Sequence, residues 1–335
     1  MGPLKDWSPR MSDTICSMNK AFYNNRPFIV QRYLSLFIRR IALLLTVTLA
    51  FLAAGSTGYA KTCNAIIVKS ANLKPYQDAL RGFEDATRCD VREVRSGDVD
   101  ELEDMHLSSH DVIVAIGTTA FKKVRALKNP AIVYIMVISS EANRDQSPNI
   151  SGVSMDIAPS TVLKSIKEVI PSAKKIGLLY NPRYTLSYVN EAKQAARSAG
   201  IDLAARQVHD PSEIMAALNE IHDGMDVLWM LPDPTVVSEE TVDYMLRYSI
   251  QHSIPIFTFS KKYVDMGAIA SLDMDPYDMG AQAAEIVERI VKGEGDGDGI
   301  RVYPRTVRLS INVKAAEKMG LKIRDEVLKK VGTVE

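Results

Sequence analysis

Histidine and cysteine are scarce, with five and three in 335 residues. His106 and His110 stand four apart, but in a stretch that reads as a helix end leading into a strand. No histidine is placed with a cysteine or second histidine at the spacing of a metal centre, so none is expected. The G-x-x-x-x-G-K-[ST] phosphate loop is missing, and so are the G-x-S-x-G elbow and H-E-x-x-H. Ser172 and Lys175 fit S-x-x-K by letters alone and follow Pro171 at a strand entrance, which reads as a turn. Without a base-activated nucleophile, metal set or cofactor loop, neither enzymatic activity nor a cofactor is expected. An excess of basic charge is missing too: 41 Lys and Arg face 41 Asp and Glu. Residues 1–60 hold seven bases and two acids, leaving 34 bases and 39 acids beyond them, a net charge near −5. A mildly acidic body does not suit a nucleic-acid partner.

The basic start has a pattern. Arg39-Arg40 precedes an uncharged run from Ile41 to Ala54, and small residues follow to Gly58-Tyr59-Ala60. That order is a secretory signal peptide with cleavage expected after Ala60. The run is short for a transmembrane helix. No cysteine sits just after the run, so a lipid anchor is not expected. Residues 1–34 are long for a positive n-region, and a start further downstream is expected. Cys16 lies in this part, which leaves the exported chain with Cys63 and Cys89.

From Lys61 onward strands and helices alternate. Continuous apolar runs, the mark of parallel strands buried on both faces, occur at 65–68, 112–116, 131–137, 150–153, 175–180, 226–231, 254–259 and 268–272. Further strands are expected at 91–94 and 203–208. Helices are expected at 76–87, 119–127, 160–169, 187–198, 211–222, 238–252 and 277–292. A last strand lies within 301–311, and a helix over 313–319 is capped by Asn312. The tract Gly293–Gly299 lacks calcium-loop spacing and reads as an exposed turn. The fold class is α/β, with two doubly wound parallel sheets. The chain would cross between them near 154–159 and again near 273–276. Cys63 and Cys89 open neighbouring parallel strands, so their side chains start at one sheet edge, and a disulfide is expected.

Chemistry gathers at the strand C-termini, where ligands bind in open α/β sheets. These ends carry Ser70, Gly117, Thr118 and Thr119, then Tyr180 and Asn181, then Asp233, Ser260, Asp273 and Asp275. Hydroxyls, amides, rings and carboxylates without a reacting pair suit a polar ligand held by hydrogen bonds and stacking. The same residue types also serve turns and helix N-caps.

The ordered series Ser70–Tyr76, Ala115–Ala120, Asn149–Ser154, Lys175–Pro182, Leu231–Ser238, Ile254–Phe257 and Gly267–Ser271 resembles the substrate-binding proteins of ABC transporters. Within them it is most similar to the branch that includes tryptophan and aromatic-amino-acid binders. The likeness runs from about Ala65 to Leu321 and departs at Ile138–Glu141. It implies a type I periplasmic-binding fold with three crossovers: one lobe of residues 61–156 and 276–304, the other of 157–275 and 305–330. It implies a periplasmic monomer that closes on an amino acid or related solute and docks on a membrane permease. The alternative is a periplasmic sensor that presents its ligand state to a receptor. Carried over, the ligand-binding positions are Ser70, Tyr76, Gly117, Thr118, Thr119, Tyr180, Asn181, Asp233, Ser260, Asp273 and Asp275. The amides after Gly117 would take a carboxylate, and Asp233 or Asp275 an ammonium. Tyr76, Tyr134, Tyr180 and Tyr184 would form stacking walls.

Overall fold

The computed structural model describes residues 63–95, 107–108, 111–127, 130–142, 147–294, 299–331 and 333–334. The signal-peptide expectation, Cys16, His106 and His110 lie outside them, as does the middle of the glycine-rich tract.

Strands with no solvent face must be covered on both sides. β1 (Asn64–Lys69), β3 (Asp111–Ile116), β4 (Ala131–Ile135) and β5 (Ile150–Val153) are of this kind, with central residues almost wholly buried. β2 (Asp90–Arg95) exposes Arg92 and Glu93, as suits a strand at a sheet edge. β4 stops at Ile135, short of its apolar run, because Met136 takes φ 58°, which breaks the extended backbone. The helices between these strands are α1 (Lys74–Ala86), α2 (Thr118–Val124) and the single turn α3 (Ser139–Ala142).

The chain then runs through α4 (Pro159–Val169), β6 (Lys175–Tyr180), α5 (Pro182–Ser198), β7 (Asp202–Gln207) and α6 (Ile214–Ile221). β8 (Val227–Trp229), α7 (Glu239–His252), β9 (Ile256–Thr258), α8 (Lys261–Asp265) and β10 (Ala270–Met274) follow. After α9 (Pro276–Val291) come β11 (Arg301–Val302), β12 (Val307–Ile311), α10 (Val313–Lys318), α11 (Asp325–Leu328) and β13 (Thr333–Val334).

Among the described residues the strands form two sheets, ordered β11-β5-β4-β3-β1-β2 and β13-β12-β10-β9-β8-β6-β7. Neighbours are parallel except the antiparallel pair β10 and β12. Each sheet has buried apolar clusters on both faces. The α/β class expected from the sequence is what the chain adopts. The chain passes from the first sheet to the second after β5, and α9 returns from β10 to pack on α1 beside the first sheet. It leaves again between β11 and β12.

The α1–α9 contact brings backbone against backbone. A methyl placed on Gly82 would sit 1.9 Å from the Tyr277 carbonyl oxygen, and one on Gly280 1.9 Å from that of Ala79. No side chain fits at either position. At the start of β1, Cys63 and Cys89 are disulfide-bonded with Cα atoms 4.7 Å apart, next to the paired residues Asn64 and Asp90.

Candidate functional site

The second sheet ends its strands β8, β9 and β10 at Trp229, Thr258 and Met274, and a cavity of about 370 Å³ opens just beyond them. That volume suits a small organic ligand. The opposite wall comes from the first sheet's side. Ile138 and Ser139 follow β4, and Met155, Asp156 and Ile157 lie on the first crossing.

The third wall is α5. Asn181 caps it by accepting a hydrogen bond from the Arg183 N–H at 3.0 Å, and Pro182 opens it with a preset φ. The helix therefore begins five residues before the expected Ser187. Those residues place Tyr184 and Tyr188 four apart on one helix face, and both line the cavity with Thr185. Tyr188 meets the Trp229 ring edge-on, with centroids 5.9 Å apart. Phe259 and Tyr263 form a second edge-on pair at 5.3 Å on the far side. Five aromatic rings thus surround the space, with Val162, Leu231, Leu272 and Met274 filling between them.

Few polar groups face this apolar enclosure. The Thr258 hydroxyl is buried without a hydrogen-bond partner. Asp156 is half-buried, and its carboxyl pKa is raised. Burial raises it most; the Ser139 hydroxyl, hydrogen-bonded to it, pulls it down, and the charge of Glu191 raises it again. Burial also pushes the Tyr188 phenol well above its ordinary range, so it stays a donor. Tyr188 gives its proton to the Ile157 carbonyl at 2.8 Å. Tyr303, on the crossing between β11 and β12, gives its own to Glu191 of α5 at 2.5 Å.

Of the residues expected to hold or wall the ligand, Asp233 and Tyr184 line the cavity, and Asp233 is spoken for. Its carboxylate accepts from the Asn181 N–H (2.8 Å), the Thr185 hydroxyl (2.6 Å) and the Thr235 N–H (2.9 Å). Asp275 caps α9 through the Tyr277 N–H and pairs with Arg308. Both carboxylates expected to take a ligand ammonium thus carry structural roles as well. Ser260 caps α8, and Asp273 accepts from the Lys261 N–H and the Ser271 hydroxyl.

Tyr180 is buried away from the lining, and its hydroxyl accepts from the Gln207 amide at 3.0 Å. Tyr134 packs edge-on against Phe121 in the first sheet's core. Ser70, Tyr76, Gly117 and Thr118 do come together, at the ends of β1 and β3. A methyl on Gly117 would lie 2.6 Å from the Ser70 hydroxyl and 2.8 Å from the Tyr76 ring. Ser70 accepts from the Ala120 N–H at 2.8 Å, occupying the start of α2. Thr118 accepts from the N–H of Ile138, which links this cluster to the cavity rim. Thr119 is exposed beside it.

Trp229, Tyr188, Phe259, Tyr263 and Asp156 went unpredicted. The Tyr184–Tyr188 spacing was the available signal, readable only with the helix started at Pro182. Among the described residues no group of three or more His, Cys, Asp and Glu is placed to hold a metal ion, and no helix is long and apolar enough to cross a membrane.

The family model of ABC transporter substrate binding proteins matches residues 97–335. The chain belongs to this substrate-binding family. Its members bind solutes and are not enzymes. A tyrosine-binding protein of Clostridioides difficile (strain R20291) is 27% identical over an alignment of 197 positions that covers 56% of this chain. The match also spans 56% of that curated relative's own length. A conserved domain protein of Vibrio cholerae is 24% identical, with 82% of this chain and all of that one covered and a TM-score of 0.54. A Streptococcus pneumonia ABC domain in complex with L-Trp is 20% identical over the same shares, with a TM-score of 0.53. The ligand-free, open form of a Clostridium difficile substrate-binding protein with adhesive properties is 18% identical, with 82% and 99% covered and a TM-score of 0.61. All three share the fold of this chain.

Proposed function

We propose that this substrate-binding protein serves an ABC importer outside the cytoplasm. It would hold a small organic solute, an amino acid or a related compound, and present it to a membrane permease. The observation that supports this reading is the ring-lined cavity beyond β8, β9 and β10, walled on its other side by the first crossing. A ligand touching both walls binds the closed arrangement better than the open one and shifts the population toward it. The permease then reads the closed shape. The aromatic-amino-acid relatives favour a ligand with a ring, which Trp229 and Tyr188 would stack against.

A thermal-shift screen of the purified protein against amino acids, amines, organic acids and sugars tests the reading. A true ligand raises the melting temperature by mass action. Trp229→Ala should remove that shift while circular dichroism stays native. A screen in which no solute of any class moves the melting temperature refutes solute binding.

A further inference from the structure

The cavity's charge is one-sided. Among the described residues Asp156 and Asp233 are the acids that line it, and no Lys or Arg does. Asp233 already has three protein donors, so Asp156 is the carboxylate left to a ligand. What acts on Asp156 is equally one-sided. α5 offers Glu191 and Tyr188, the last crossing offers Tyr303, β4 offers Tyr134, and the turn after β4 offers the Ser139 hydroxyl. The cation Arg301 of β11 is hydrogen-bonded to Tyr134, while the charge that shifts Asp156 is that of Glu191. A carboxylate held in a partly desolvated place beside another acid lacks the counter-charge that would offset its lost hydration.

Five rings surround the same space. Their faces attract a positive charge, and more strongly where water is excluded.

We infer that the site selects its ligand by a cationic nitrogen, with Asp156 as the counter-ion and the rings of Tyr184, Tyr188 and Trp229 around it. The ligand class is an organic amine on an apolar, ring-bearing body, whether or not it also has a carboxylate. This rests on the solute-binding reading and deepens it. An arylalkylamine without a carboxylate is a full ligand here. An aryl acid without an amine meets Asp156 with like charge and is rejected.

Isothermal titration of the purified protein with four probes tests this: tyramine and 2-phenylethylamine, 3-(4-hydroxyphenyl)propionate, and 2-phenylethanol. Both amines are expected to bind more tightly than the acid. Asp156→Asn should weaken the amines by about tenfold or more, the scale of a charged hydrogen bond, and leave the neutral alcohol unchanged. The alcohol also shows that the variant's cavity is intact. The inference is overturned if the acid binds more tightly than the amines, or if Asp156→Asn leaves amine affinity within about twofold. Binding of the acid alone would leave solute binding standing and remove only the cation requirement. No binding by these probes or by the wider solute screen would remove both.

Discussion

Tyr188 donates its phenolic hydrogen to the backbone carbonyl of Ile157 across 2.8 Å, which ties α5 of the second sheet's side to the first crossing. The same ring stands against Trp229, so one residue both walls the cavity and pins the segment that carries Asp156. Tyr188→Phe keeps the ring and deletes the bond. It should lower stability by about 1 kcal/mol, the usual net worth of such a bond, with some addition for the carbonyl left unpaired. Urea denaturation measures it; an unchanged midpoint would show that the Ile157 carbonyl finds another donor.

Gly82 and Gly280 let α1 and α9 touch backbone to backbone. Alanine is the better helix former at an exposed site, but here its methyl has no flexible neighbour to displace. Gly82→Ala or Gly280→Ala should therefore destabilise, by about 1–3 kcal/mol on the scale of overpacked cores. A melting temperature at or above wild type in either variant would contradict the contact.

The disulfide between Cys63 and Cys89 spans 26 positions of sequence. Closing a loop of that length restricts the unfolded chain by about 3–4 kcal/mol on the entropy model. Adding a reductant, or replacing both cysteines by serine, should lower the melting temperature by a comparable amount in either case. A double-serine variant that melts with the oxidised wild type would show that the bond carries no stability.

How far the sequence reaches differs from residue to residue. The buried runs at Ala65–Val68, Val112–Ile116 and Lys175–Tyr180 became strands because continuous apolar sequence has one economical fate, a sheet covered on both faces. Asn181, Ser260 and Asp275 stood out for chemistry that serves caps as well as ligands, and in the structure each caps a helix. Asn181-Pro182 reads as a turn when it is also a helix start. Taking it as the turn hides the first face of α5, and Tyr188 with it; Tyr184 stood out as a ring, but without the helix that sets Tyr188 beside it. Trp229 sits in an unbroken apolar strand, so nothing in the pattern tells which of its residues ends at a cavity. Asp156 lies on a crossing with no periodicity at all; only the fold brings it against the rings.

Asp156 yields a prediction in which stability and binding part company. Its carboxyl pKa in the folded protein is raised, by burial first and the Glu191 charge as well. A raised carboxyl pKa means that the native state holds this proton more tightly than the unfolded chain does. Its stabilising share is then present below the unfolded value, about 4 for Asp, and is lost as pH climbs through the raised folded value. At neutral pH the ionised group is a cost to the empty protein, and Asp156→Asn removes that cost. The variant should melt above wild type at pH 7, and the gap should narrow as pH falls toward about 4. Amine binding needs the ionised form, so wild-type affinity should decline over the same fall in pH while the variant's stays flat. Melting curves and titrations at four or five pH values measure both. A stability gap that does not vary with pH would mean that Asp156 titrates as an ordinary surface acid, and that the cavity does not desolvate it.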